Sequence, residues 1–240
     1  MQRVIVHDLG NITYDVALQI QKEHLDKLVA IKKKNRLRPA DSIVVPTHHF
    51  IFCEHPPVFT LGRTGDEKHL LLRQSELQQR NIAYRKTNRG GDITFHGPGQ
   101  IVGYPIFDLE FFFTDVHRYV RYIEEAVIRT LGEFNIKGIR VPDFTGVWIE
   151  ENTQLPMRKI CAIGIHLSRW ISMHGFAFNI NTELDYFNMI VPCGIPSEDK
   201  SVTNLSNEIG QKIEIKEVQE KLIKHFSQLF GFEFSWEKNA

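Results

Sequence analysis

Cysteine is scarce in this chain: Cys53, Cys161 and Cys193 are the three among 240 residues. A low, odd count excludes a framework of paired disulfides and fits a reducing compartment. Net charge is missing too, with 29 Lys and Arg balanced by 29 Asp and Glu. That balance gives no bulk attraction to nucleic acid or to an anionic membrane, so neither is expected as a partner. No apolar run approaches the roughly 18 residues of a spanning helix. The opening Met1-Gln2-Arg3-Val4-Ile5-Val6-His7-Asp8 has no apolar signal-peptide core, and a cytoplasmic location is expected. Walker A, Gly-x-Gly-x-x-Gly and Gly-x-Ser-x-Gly patterns are all lacking, which removes the standard phosphate cradles and the serine-hydrolase elbow. Internal repeats, low-complexity stretches and clear linkers are absent as well.

What is present is a large supply of core. Hydrophobic residues make up 42% of the chain, which excludes general disorder. The patterning predicts a short strand at 4–6, then a helix capped by Asn11 or Thr13 and running to about Lys34. Val16, Ala17, Ile20, Leu25, Leu28 and Val29 give that helix its apolar spacing. Residues 42–53, rich in β-branched and aromatic side chains, predict a strand ended by Pro56-Pro57. Residues 70–80 are weakly helical. Strand-like runs occupy 82–87 and 101–107. Asp115 is placed to cap a helix whose stripe is Val116, Tyr119, Val120, Ile123, Ala126, Val127 and Leu131. Further strands are expected at 147–150, 159–167 and 172–179. A last helix runs through Val218, Leu222, Ile223, Phe226, Leu229 and Phe230 to a stop at Gly231. The simplest account is one α/β domain over 1–240, a mixed sheet with helices packed on it. The Phe111-Phe112-Phe113 run reads as a core plug. The basic run Lys32-Lys33-Lys34 with Arg36 and Arg38 reads as a solvated helix end, with a docking patch for an acidic protein as the alternative.

The densest signal is Arg89-Gly90-Gly91-Asp92-Ile93-Thr94-Phe95-His96-Gly97-Pro98-Gly99-Gln100, which holds four of the 16 glycines. Such a segment is either a tight turn between strands or a loop that lets backbone approach a ligand. The Arg, Thr, His and Gln within it favour a site. Cys193 lies in Val191-Pro192-Cys193-Gly194-Ile195-Pro196, where a fixed turn would hold its thiol at the apex. A thiol is a nucleophile only as thiolate, a form that a neighbouring ammonium favours. Lys159 is one candidate, because a lysine entering an apolar strand either leaves it at the strand end or points into a site. His49, Cys53 and His55 share a strand face by period-two spacing, but without a fourth ligand at a recognised spacing no metal is expected.

Taken together these segments resemble the lipoyl(octanoyl) transferases of lipoate biosynthesis. The resemblance runs through nearly the whole chain. It is carried by His55-Pro56-Pro57 with Thr60-Leu61-Gly62, by residues 89–100 with Tyr104-Pro105, and by Gly146-Val147-Trp148-Ile149. Arg158-Lys159-Ile160, His174-Gly175-Phe176-Ala177, Pro192-Cys193-Gly194 and Thr203-Asn204-Leu205 continue it in order. It implies the fold shared with biotin and lipoate protein ligases. It also implies transfer of octanoyl from acyl carrier protein to a lysine of lipoyl domains, those of 2-oxoacid dehydrogenases and of the glycine cleavage H protein, with no cofactor. Cys193 would be the acyl-thioester nucleophile and Lys159 the residue that tunes its thiol. Substrate contacts would fall on Arg89, Gly90, Gly91, Asp92, Ile93, Thr94, Phe95 and His96, on Ala162, Ile163 and Gly164, and on Gly175, Phe176 and Ala177. The rival readings are an ATP-dependent lipoate-protein ligase and a non-catalytic module that binds acyl groups or lipoyl domains.

Overall fold

Strong β-formers alternating between two burial environments build the centre of the protein. A computed structural model describes residues 1–153, 155–191 and 200–237. In chain order its strands are β1 (Gln2–Asn11), β2 (Thr47–Glu54), β3 (Val58–Leu61), β4 (Ala83–Lys86), β5 (Ile93–His96), β6 (Gln100–Ile106), β7 (Gly138–Val141), β8 (Phe144–Ile149), β9 (Met157–Ser168), β10 (Ile171–Asn179), β11 (Lys200–Val202) and β12 (Phe232–Trp236). The helices are α1 (Tyr14–Asn35), α2 (Gln74–Gln79), α3 (Val116–Gly132), α4 (Leu205–Ile209) and α5 (Ile215–Phe230). Among the described residues, a nine-stranded mixed sheet runs β12-β1-β2-β6-β10-β9-β8-β7, with β11 added parallel to β9. A separate three-stranded sheet has the order β4-β3-β5.

Both faces of the large sheet are covered, so β6 and β10 are buried throughout and β2 from Phe50 to Cys53. Phe50, Phe52, Ile101, Phe176 and Phe178 face Tyr119, Ile123 and Val127 of α3 and Leu222 and Phe226 of α5. The intervening Ile51, Cys53, Val102 and Ile106 face Ala17, Leu28 and Val29 of α1. The small sheet has its own core, in which Phe59, Leu61, Ile93 and Phe95 pack with Leu77 and Ile82. Local chemistry sets the helix ends. Thr13 Oγ1 accepts from the Val16 amide at 3.4 Å, and Asp115 Oδ1 accepts from the Arg118 amide at 2.9 Å. Gly231 closes α5 at φ 71°, a left-handed stop that glycine takes without strain.

Several expectations change. The strand expected over 42–53 begins only at Thr47; Ile43, Val44 and Val45 are 42–58% exposed, and the Asn35 side chain pairs with both Val44 N–H and Val44 C=O. Residues 89–100 contain a strand, β5, which pairs antiparallel with β3. The buried stripe of α1 runs through Tyr14, Ala17, Gln21, Leu28, Val29 and Lys32, while Val16 is half-exposed. Lys32 is not solvated: it is buried and its Nζ pairs with Asp108 at 2.8 Å and Glu110 at 3.0 Å. The half-buried Phe112 and Phe113 pack against the main core, as a plug would. No described helix is long and apolar enough to cross a membrane.

Candidate functional site

Side chains that are too small create a cavity beside these motifs. In the β9–β10 ladder Ala162 pairs with Ala177 and Gly164 with Gly175. Residues paired in an antiparallel ladder share a face, so four minimal side chains sit together there. Above them lies a cavity of about 530 Å³, within the size range of small-molecule sites. The residue 89–100 segment forms its other wall and is fixed to β9 by the Gly90 amide, which donates to Ile165 C=O at 2.8 Å. The contact requires glycine at 164, because a Cβ there would stand 2.8 Å from Gly90 O. Gly62 serves the same purpose below the loop, since a Cβ at that position would meet Gly91 O at 2.1 Å.

A chain of buried polar groups stiffens that wall. Asn179 must turn its amide N–H toward Thr203 C=O (3.0 Å), which leaves Asn179 Oδ1 to accept from Gln100 Nε2 at 2.9 Å. Gln100 Nε2 also reaches Phe95 C=O, so Gln100 Oε1 faces His96 Nδ1 at 2.9 Å and that nitrogen carries the proton. His96 Nε2 then accepts from the Thr60 hydroxyl at 3.2 Å. Arg89 completes the chain by donating from Nη2 to Thr60 Oγ1 at 2.9 Å and to Thr60 C=O. Burial, followed by the positive field of neighbouring groups, pushes the His96 pKa well below its ordinary range, so the ring stays neutral as these bonds require.

Other groups converge on the same space. Lys159, on β9, lines the cavity, with its Nζ 4.7 Å from the Trp148 ring centroid. His174 sits in β10 at φ 58°, a left-handed conformation that costs a non-glycine residue about 1–3 kcal/mol. Its amide donates to Gln21 Oε1 at 2.9 Å, and its Nε2 donates to Asn88 Oδ1 at 2.7 Å. Burial lowers its pKa to about 3. At the rim, His69 Nδ1 meets Asp92 Oδ2 at 2.5 Å. Tyr14 lies on the α1 side, its hydroxyl donating to Thr87 Oγ1 at 3.1 Å.

The structure brings together Arg89, Gly91, Asp92, Ile93, Thr94, His96, Lys159, Ala162, Ile163, Gly164, Gly175, Phe176 and Ala177 around the cavity. Gly90 stands behind the wall, bonded to β9. Phe95 points away into the small sheet's core, where its ring stacks on Tyr186 at 4.4 Å. Cys193 lies outside the described residues. Sequence reasoning missed Tyr14, His69, Asn179 and Val202, which also line the cavity. A tyrosine at a helix start and an isolated histidine carry no local signal; adjacency to the quoted Thr203-Asn204-Leu205 segment could have found Val202. The zinc grouping His49, Cys53 and His55 is divided: His55 bonds Tyr104 and Ile12, whereas His49 faces His7.

Residues 36–227 match the family model described as the lipoyl protein ligase A/B catalytic domain. Among curated relatives, an octanoyltransferase of Cytophaga hutchinsonii is 50% identical over 227 residues, covering 95% of this chain and 92% of its own. One from Christiangramia forsetii is 50% identical over 238 residues, covering 98% and 99%. Among solved structures, the bipartite lipoate protein ligase of Thermoplasma acidophilum, studied with its E2 lipoyl domain, superposes with a TM-score of 0.71 at 15% identity. That match covers 100% of this chain and 88% of the other. A lipoate-protein ligase A bound with ATP gives a TM-score of 0.67 at 16% identity, covering 100% and 89%. At such identities the superpositions establish the shared fold.

Proposed function

The chain belongs to the lipoyl protein ligase A/B catalytic family and to its octanoyltransferases, and from that premise we propose that it moves octanoyl from octanoyl-acyl carrier protein to a lysine of lipoyl domains through a Cys193 thioester. Acceptors on this reading are the lipoyl domains of 2-oxoacid dehydrogenases and the glycine cleavage H protein. The observation that carries it is one cavity that joins the minimal Ala162, Ala177, Gly164, Gly175 floor to the Lys159 side chain. An eight-carbon chain lies on the floor and gains about 0.8 kcal/mol per methylene buried. The described flanks of the Cys193 segment support the arrangement. The Val191 amide donates to His69 C=O at 2.8 Å, and Val202, which lines the cavity, pairs with Lys159 in the β11–β9 ladder.

The chemistry balances in two steps. Cys193 thiolate attacks the octanoyl carbonyl carbon; a carbon–sulfur bond forms, the carrier's carbon–sulfur bond breaks, and the departing thiolate takes a proton from Lys159. A thioester replaces a thioester, so no ATP is consumed. The acceptor lysine amine then attacks the acyl-enzyme. A carbon–nitrogen bond forms, the Cys193 carbon–sulfur bond breaks, and the amine's surplus proton returns to Lys159. This regenerates the thiolate beside an ammonium.

Intact mass after incubation with octanoyl-carrier tests the reading. One octanoyl adduct is expected on the wild type and none on Cys193→Ala. An adduct that persists in Cys193→Ala, or transfer that requires ATP, refutes it. Alkylation of Cys193 followed against pH is expected to shift to higher pH in Lys159→Ala; an unchanged profile removes Lys159 from its role.

A further inference from the structure

Three histidines far apart in sequence meet on the α1 face of the sheet, over its β1–β2 pair. His7 comes from β1, His24 from the middle of α1 and His49 from β2. The parallel β1–β2 ladder, in which His7 pairs with Ile51 and Ile5 with His49, places His7 and His49 on one face. His24 descends on them from α1. One ring nitrogen from each lies within 4.8 Å of the other two. His7 Nε2 and His49 Nδ1 are 2.9 Å apart, and the His24 and His49 ring centroids are separated by 3.8 Å.

The hydrogen bonding sharpens this geometry. Glu237 Oε2 can only accept, so His7 Nδ1, 2.5 Å away, carries the proton and His7 Nε2 presents its lone pair to the cluster. A carboxylate that holds the far nitrogen of an imidazole is the usual outer support of a metal-bound histidine. His24 Nδ1 is buried and has no hydrogen-bond partner among the described residues. Stacking basic rings against one another with an orphaned nitrogen is costly for a merely structural cluster. A cation bound through that nitrogen would remove the cost.

We propose that His7, His24 and His49 form a site for a divalent transition metal, Zn²⁺ by preference, with Glu237 orienting His7 and water in the fourth position. Zn–N bonds of about 2.0–2.1 Å in a tetrahedron separate the ligand nitrogens by about 3.3 Å. His7 and His49 need to part by a few tenths of an ångström, and the third ring to close by no more than about 1.5 Å. Imidazoles without thiolate suit Zn²⁺, Cu²⁺ or Ni²⁺ rather than Mg²⁺ or Ca²⁺. His24 and His49 are each partly exposed, which gives the ion an entry path and its water a place. The site would pin α1 to the sheet and to the residue that follows β12. The same helix supplies Tyr14 to the cavity wall and Gln21 to the His174 amide, so the role is structural and lies outside the acyl chemistry.

Untagged, full-length, chelator-stripped protein is titrated with Zn²⁺ by calorimetry and by thermal melting. One equivalent is expected to bind and to raise Tm. His24→Gln and His49→Gln are each expected to weaken binding by more than about 100-fold, and Glu237→Gln by about 10–100-fold. Cys193→Ala keeps wild-type affinity, which separates this site from thiolate capture. Co²⁺ in the wild type is expected to give tetrahedral d–d bands without thiolate charge transfer, a readout that does not depend on variants that fold. Unchanged affinity in both glutamine variants, loss in Cys193→Ala, or a thiolate band with Co²⁺ overturns the proposal.

Discussion

Adding one methyl group at Gly164 should move the signature wall off the sheet. In Gly164→Ala the new Cβ stands 2.8 Å from Gly90 O and 3.1 Å from Arg89 Cδ, so its contact with the carbonyl oxygen is about 0.6 Å short of the ordinary 3.4 Å limit. Gly90 O belongs to the backbone, which cannot swing aside as a side chain can. If the loop holds its place, the overpacking costs about 1–3 kcal/mol. If it lifts, the Gly90 N–H bond to Ile165 C=O is lost, worth about 0.5–1.5 kcal/mol, and Arg89 withdraws from Thr60. At the roughly 2–4 °C per kcal/mol expected for a protein of this size, the first route lowers Tm by roughly 2–12 °C and the second by at least roughly 1–6 °C. Displacing the wall also removes acyl contacts; kcat/KM for octanoyl transfer to a lipoyl domain should fall at least about tenfold, which corresponds to 1.4 kcal/mol. Gly132→Ala is the control. Gly132 ends α3 with nothing within 4 Å of a built Cβ, so that variant should match or slightly exceed the wild-type Tm. Wild-type Tm together with wild-type kcat/KM in Gly164→Ala would refute the close approach of loop and strand.

Arg158 and Glu208 tie β9 to α4 through two contacts of 2.7 Å, with Arg158 buried and Glu208 partly buried. Arg158→Met strands the carboxylate and should cost about 3–5 kcal/mol, whereas Arg158→Met with Glu208→Met should be markedly milder; chemical denaturation of both checks this. Stability should also fall steeply with acid. The folded-state pKa values of His55, His96 and His174 all lie below that of a free imidazole, His174 at about 3. Below about pH 6.5 the unfolded chain therefore takes up protons that the native state refuses, so unfolding free energy drops as pH falls through that window. Urea titrations between pH 7 and 5 should show this; a flat profile would contradict the buried neutral rings.

How much was legible beforehand follows from the kind of signal each residue carries. Helices α3 and α5 could be read because Tyr119, Ile123, Val127 and Leu222, Ile223, Phe226 keep strict helical spacing on one buried face. The end of α5 was equally plain, since Gly231 takes the left-handed stop. The true stripe of α1 escaped because tertiary partners make polar residues buried: Gln21 is held by the His174 amide and Lys32 by Asp108. Strands β3, β5, β11 and β12 are three to five residues long, too short for alternation to stand out from their glycine- and proline-rich surroundings. Around the cavity, residues from contiguous motifs were accessible to reading. Tyr14 and His69 were not, because only the folded chain brings their helix start and turn to the loop. Phe95 marks the limit of motif reading from the other side: it belongs to the motif in sequence, yet its ring serves the small sheet.

The polar chain from Arg89 to Thr203 has a sense of direction. Every link donates toward Thr203: guanidinium to hydroxyl, hydroxyl to imidazole, imidazole to amide oxygen, amide to amide, amide to carbonyl. Dipoles aligned head to tail reinforce one another, so the wall behaves as a single oriented rod with its cationic end at the loop. A change of residue at any link is then a question of grammar rather than of size. Gln100→Glu preserves shape but puts an acceptor where Asn179 awaits a donor. Asn179 cannot turn to supply one without abandoning Thr203, so the error propagates to the strand that borders Lys159.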